Sequence, residues 1–334
     1  MGRKLSNNGE LAKKLITKFP NASTRTLAKI LYEQNPESFN SYDSARGVIK
    51  NYRNNGYDNG NFLRDKEQAK ELEIKNIYNL PESSAEERKP FVLPLACNNI
   101  LLISDLHIPY HTNEAIKCAF DYGIEKKVNT IFINGDLIDF CQISRFEKDP
   151  KKRSVKYELD CCKQFFTALR KVFPTQSIYW LKGNHDIRLE AYLRVKAPEL
   201  LDVEEFYLEH LLNLNDFKVT IIPDNQLVKA GKLSITHGHL IMRGFFAPVN
   251  SARGVYMKAK QSTIISHVHK VSEHSEINMD GEMVTCWSTG SLCELKPDYS
   301  PMVSNYAHGF AHITVNPDRT YSVTNKRIYK GKLY

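Results

Sequence analysis

The sequence contains no apolar run approaching the ~20 residues that a membrane-spanning helix needs. Its opening, MGRKLSNNGELAKK, lacks the apolar block of a secretory leader. Both absences point to a cytoplasmic protein without a membrane partner. Disulfide scaffolding is missing too. The seven cysteines are an odd number, none sits in a C-x-x-C pair, and they read as reduced thiols rather than as a disulfide frame or a zinc knuckle. No internal repeat of roughly 20–50 residues is visible, which removes solenoids and propellers. The opening does fit the acylation pattern Met-Gly-x-x-x-Ser at Gly2 and Ser6, a match short enough to recur by chance.

What is present has the balance of a folded globular chain, with 42% hydrophobic and 25% charged residues, and 334 residues suffice for one large domain and a small one. The charge is uneven. Residues 1–63 carry ten basic and five acidic side chains, so +5 of the net +8 lies there. Such a patch favours polyanions, DNA or RNA, although it also suits a merely solvated surface.

The chain divides into three stretches. Residues 1–60 read as a basic, three-helix, helix-turn-helix-like domain. Leu11, Leu15 and Ile16 form a helical stripe that ends near Pro20. Ser23 or Thr24 can cap a second helix through Leu27, Ile30 and Leu31, closed at Pro36, and Ser41 can cap a third through Ala45, Val48, Ile49 and Tyr52. The third helix would be the reader. Ser44, Arg46, Lys50, Asn51 and Arg53 are its polar positions; Lys50 and Arg53, with Lys29, suit phosphates and Asn51 suits a base edge, while a protein-binding module remains the alternative. Residues 61–92 are polar and mixed in charge, as in a linker, with a short helix expected around 65–78. From 93 to 334 apolar strands alternate with amphipathic helices, the rhythm of a layered α/β domain.

The polar residues of this last stretch are not scattered. Asp105 and His107 follow the run NILLIS. Asp136 and Asp139 follow TIFIN. Asn184, His185 and Asp186 follow SIYWL, His237 and His239 follow KLSIT, and His267 and His269 follow TIIS. Ligands of open α/β sheets bind at the carboxyl ends of strands. Five clusters of acids and imidazoles on one rim would repel or stay unsatisfied without cations among them. Oxygen and imidazole donors without thiolate suit manganese first, with iron, zinc or magnesium as alternatives, and the donors outnumber the need of a single four-coordinate ion.

Asp105-x-His107, Gly135-Asp136-x-x-Asp139, Gly183-Asn184-His185-Asp186, His237 and His267-x-His269 resemble, in order, the motif set of the calcineurin-like metallophosphoesterases. The resemblance spans about residues 98–300 and departs at Ser266, where the family usually has glycine. It implies an α-β-β-α sandwich of two mixed sheets and a metal-dependent phosphoric ester hydrolase with two divalent ions. Carried over by motif, Asp105, His107 and His269 would hold one ion and Asn184, His237 and His267 the other, with Asp136 bridging. His185 would protonate the leaving oxygen and Asp139 would orient it. Arg145, Arg243 and Arg253, in loops after these strands, are candidates to grip substrate phosphate, and the run Lys148, Lys151, Lys152 and Arg153 could meet a nucleic-acid backbone. The preferred substrate is a phosphodiester of nucleic acid. The alternative is a phosphomonoesterase acting on nucleotides or phosphoproteins, with the front domain binding protein.

Overall fold

The computed structural model describes residues 7–20, 22–54, 80, 81, 84, 88–144, 154–242, 249–296 and 305–334. The expected helix at 65–78, Arg145, Arg243, the basic run 148–153 and the acylation pattern lie outside them. The chain divides into two compact units, residues 1–85 and 86–334. Among the described residues no helix is long and apolar enough to cross a membrane.

Among its described residues the first unit contains three helices, α1 (Asn7–Lys18), α2 (Thr24–Gln34) and α3 (Tyr42–Asn54). Ser23 accepts a hydrogen bond from the Thr26 backbone and Ser41 one from Ser44, so small hydroxyls satisfy N–H groups at the starts of α2 and α3. Ala12, Leu15, Ile16, Leu27, Leu31, Ala45 and Ile49, at helical spacing, fill a core of their own.

The second unit is an α/β sandwich. One sheet runs in the order β13-β12-β11-β2-β3-β4-β5, built from β13 (Lys332–Leu333), β12 (Tyr321–Tyr329), β11 (His308–Val315), β2 (Asn99–Ile103), β3 (Thr130–Asn134), β4 (Ser177–Leu181) and β5 (Val219–Ile222). The other runs β1-β6-β7-β8-β10-β9, from β1 (Phe91–Val92), β6 (Val228–Ala230), β7 (Leu233–Ile235), β8 (Thr263–Ile265), β10 (Met283–Ser288) and β9 (Ser272–Ile277). Both sheets mix parallel and antiparallel pairs.

The apolar runs are continuous because both strand faces are buried. Ile100, Leu102 and Phe132 meet Leu233, Ile235 and Ile264 between the sheets. Their alternates Leu101, Ile103, Ile131 and Ile133 face α4 (Asn113–Glu125) and α5 (Val155–Val172), where Phe120, Phe166 and Leu169 cover them. Between β4 and β5 come α6 (Arg188–Lys196) and the short α7 (Leu208–Leu211); α8 (Ser251–Ala259) packs Ala252 and Val255 on Ile265 and Cys286, outside the second sheet.

β2, β3 and β4 are mutually parallel, as are β7, β8 and β10, so each set ends on one side. That common direction carries the polar strand ends to a shared rim.

Candidate active site

Leaving a buried strand abruptly requires unusual backbone. Asp105, His107, Asp136, His267 and His269 all adopt φ between 48° and 68°, the left-handed region that ordinary residues avoid. Such strain is tolerated where the surrounding structure over-determines the chain, and it clusters at functional sites. Two glycines allow the crowding. A methyl group on Gly135 would run into the His237 ring, and one on Gly183 into Asp136.

Asp136 is the meeting point. It is 1% exposed. Its Oδ2 lies 3.1 Å from His237 Nε2 and 3.8 Å from His107 Nε2, while its Oδ1 accepts from the His185 backbone at 2.8 Å. Two donor groups therefore share it: Asp105, His107 and Asp136 on one side, Asp136, His237 and His267 on the other. His269 joins the first, its Nε2 3.2 Å from both Asp105 Oδ1 and His107 Nε2. Asn184 joins the second, its Oδ1 3.3 Å from His237 Nε2.

The far nitrogens are tied down. His237 Nδ1 bonds the Asn134 carbonyl at 2.7 Å, and His107 Nδ1 bonds Asp139 Oδ1 at 2.9 Å. Each Nε2 is thereby turned inward. Ser266, where the motif usually has glycine, is fully buried yet satisfied. It accepts from Asn134 Nδ2 at 2.8 Å and shares a hydrogen bond with the Thr289 hydroxyl at 2.9 Å.

Asp186 holds the loops instead of facing the cluster. It accepts from the backbone N–H of Asp136, Leu137, Ile138 and Gly183 and from Trp180 Nε1. His239 covers the second group from outside, its Nε2 3.2 Å from Asp224. Asp139 Oδ1 lies 2.9 Å from the Nδ1 of both His107 and His185. Burial alone would raise its carboxyl, but these two histidines hold it well below the usual carboxylate range.

The charges strain against one another. Burial opposes ionisation of Asp105 and Asp136, yet His269 and His237 respectively outweigh it and keep both carboxyls low. Burial likewise disfavours a charged His237, but Asp136 pushes it up to about 9. His267 falls to about 4 through burial and then the His237 charge. Protons on imidazoles thus balance the acids when no cation does. A divalent ion would displace them and release them to solvent. Asp105 Oδ1, fully buried, has only the His269 ring nitrogen at 3.2 Å to offset its charge and makes no well-formed hydrogen bond among the described residues, which suits an oxygen of a cation site. Oxygen and imidazole donors, inward lone pairs and one carboxylate common to both groups fit a pair of divalent ions.

A cavity of about 670 Å³ opens on this cluster, lined by Asp136, Asp139, His185, His267, Arg188 and Tyr306 among others. His185 stacks edge-on against His107 at 4.3 Å, and Tyr306 against His269 at 4.4 Å. Arg253 is not in this cavity. It lies exposed on α8, where it helps the stronger His274 hydrogen bond hold Glu276 ionised. Three residues around the site went unremarked in the sequence. Arg188 lines the cavity. Cys293 places its sulfur 3.8 Å from His269 Nδ1, the nitrogen facing away from the cluster. Glu158 of α5 is buried behind the 140–142 turn, and burial and then the Asp139 charge push it up to about 7 against N–H bonds from Phe140, Cys141 and Gln142. An arginine two residues beyond the Asn-His-Asp motif was a signal available in the sequence; the other two depend on packing.

In the first unit Arg46, Lys50 and Asn51 are exposed on α3. Arg53, expected beside them as a phosphate contact, is committed elsewhere. Its guanidinium donates to the Pro20 and Ala22 carbonyls and to Thr24, fastening the α1–α2 turn.

A family model described as calcineurin-like phosphoesterase matches residues 99–292. The gene 54 protein of Mycobacterium phage L5 is 30% identical over 229 residues, covering 65% of this chain and 89% of that protein. The gene 54 protein of Mycobacterium phage D29 is 28% identical over 231 residues, with the same shares. Among solved structures, vacuolar protein sorting 29 from Cryptosporidium parvum is similar at a TM-score of 0.39 and 16% identity, covering 71% of this chain and 94% of that one. Yfce, a phosphoesterase from E. coli, is similar at a TM-score of 0.33 and 15% identity, covering 68% and 98%.

Two outcomes follow from this geometry. Gly183→Ala should displace Asp136 and lower turnover by about 10²-fold or more, together with metal uptake, since misplacement on the order of 1 Å has that effect; turnover and metal content measured side by side check it. For Glu158 the folded-state value lies above the ordinary 4.5. Folded protein therefore retains a proton that unfolded chain releases, and the stability this gives is lost as pH rises from about 4.5 to about 7. Glu158→Gln should match wild type at pH near 4.5 and exceed it by roughly 1–3 kcal/mol near pH 8, in urea unfolding with chelator present.

Proposed function

The chain belongs to the calcineurin-like phosphoesterase family, and on that premise we propose that it hydrolyses phosphodiesters of nucleic acid. Membership makes it a metal-dependent phosphoric ester hydrolase. The observation that carries the mechanism is the sharing of Asp136 between two donor groups beside one cavity. In our reading Asp105, His107, Asp136 and His269 would hold one divalent ion, and Asp136, Asn184, His237 and His267 would hold the second. Manganese is our first choice, because the two donor groups that share Asp136 consist of oxygens and imidazoles, while the Cys293 sulfur lies 3.8 Å from the far nitrogen of His269. When bound, the ions supply positive charge for the phosphoryl oxygens and draw the pKa of a water towards ~7.

The chain's own groups do the rest. Asp139 fixes the His185 ring through Nδ1, leaving Nε2 to face the cavity 4.0 Å from Asp136 Oδ2. In this structure Nε2 accepts from Arg188 NH2; protonated there once that guanidinium turns to the substrate, it gives the proton to the leaving oxygen, and the ionised Asp139 stabilises the charged ring before that transfer. Asp186 keeps the loops carrying Asp136 and His185 in register through its hydrogen bonds to their backbones.

Support for a nucleic-acid substrate comes from α3. Arg46, Lys50 and Asn51 present a basic, hydrogen-bonding face. Gly47 lies among them, and a methyl group there would touch nothing. Glycine inside a helix costs about 1 kcal/mol relative to alanine. Folding does not ask for it here, and a flat spot suits close approach of a phosphate backbone.

Mn-loaded protein should cleave a model diester faster than a model monoester. His185→Ala should lower kcat by about 10²–10⁴-fold while metal content stays unchanged; equal turnover in the variant would refute the assigned acid. Full-length protein should bind DNA or RNA with an affinity that falls steeply with salt. Arg46→Ala and Lys50→Ala should each reduce the slope of log K against log salt by about one.

A further inference from the structure

We propose that Arg188 is the residue that grips the phosphoryl group of the substrate, an assignment that rests on the phosphoesterase reading of the same cavity. Its position is rigid. It is the first residue of α6, and its backbone N–H bonds the His185 carbonyl at 2.9 Å. The guanidinium reaches back over the site. NH1 donates to the Asp139 carbonyl at 2.7 Å and NH2 to His185 Nε2 at 3.0 Å. Arginine has only donors, so in both contacts it is the giving partner.

Three further N–H groups find no acceptor among the described residues. The nearest carboxylate oxygen, Asp139 Oδ2 at 3.8 Å, is beyond hydrogen-bond reach. The side chain is 19% exposed, and its exposed part opens on the cavity.

Other arginines of the chain show what a structural guanidinium looks like. Arg170 donates to the carbonyls of Phe217, Phe173, Gln176 and Lys218 and is thereby used up between α5 and β5. Arg53 makes three bonds at the α1–α2 turn, although its buried Nε finds no partner among the described residues. Arg188 makes two bonds, and it is the one lysine or arginine among the described residues that line the cavity.

A planar cation with parallel free donors matches two oxygens of a phosphate. The NH2 contact also sets those donors beside His185 Nε2. A phosphoryl oxygen held by Arg188 therefore lies next to the nitrogen that faces the leaving group. Arg253, which the sequence suggested for this task, is on α8 outside the cavity; Arg188 takes the role because α6 starts at the rim.

The test uses Mn-loaded full-length protein, with bis(p-nitrophenyl) phosphate as substrate and inorganic phosphate as inhibitor and calorimetric ligand. Arg188→Ala should raise KM and the phosphate inhibition constant, and weaken calorimetric phosphate binding, each by about 10–100-fold. Arg188→Lys should recover part of the loss, with melting temperature and metal content at wild-type values. A fall in kcat alone, with phosphate binding unchanged, would overturn the proposal and leave Arg188 as a prop for His185. If Arg188→Ala does not fold, Arg188→Gln and Arg188→Lys are compared in the same way. A wild-type protein that binds phosphate through Arg188 yet cleaves no ester would count against the phosphodiesterase reading and not against this one.

Discussion

One carboxylate is common to everything at the rim. Asp136 is buried, its backbone N–H is held by Asp186, and one of its oxygens is held by the His185 backbone, which leaves the other to face His237 and His107. Four acids and several imidazoles packed this closely are stable only with compensating positive charge, whether protons on His237 and His269 or divalent cations. The requirement for that charge is what converts a sheet edge into a catalytic centre.

The two sheets exist, in this sense, to hold a strained rim. Five of the converging residues sit in left-handed backbone, which costs on the order of 1–3 kcal/mol each. The buried strands β2 (from Ile100), β3 and β8 lead into these residues and supply the rigidity to keep them there, through apolar faces packed on both sides. Hydrogen bonds from Asn134 to Ser266 and to the Thr236 carbonyl then tie one sheet to the other just beneath the cluster.

The fold was legible where burial is two-sided. The runs of β2, β3 and β4 have continuous apolar centres and end sharply in polar residues, so their limits show in the sequence. β9 (SEHSEI) and β12 (YSVTNKRIY) were not, because their exposed positions alternate polar residues with the partly buried ones and break the apolar signal. The helices α6 and α8 were missed for a related reason: each is short and buries few side chains. For the site, an acid or imidazole directly after a buried strand has little freedom in where it can go, and the residues chosen on that ground meet at one rim. Arginines were another matter. Their reach spans several residues, so sequence position said little about whether Arg53, Arg188 or Arg253 would face a turn, the cavity or solvent.

The sequence by itself determined which strands are buried and which donors leave their ends, since periodicity and residue type fix both locally. Only the tertiary structure decided that Asp136 is shared between two donor groups, that Asp186 faces backbone N–H groups while its neighbour His185 faces the cavity, and that Arg188 lies over the site while Arg253 stays outside. Those outcomes depend on distances between elements far apart in the chain, and such distances are set by how two sheets and their helices close around a common core.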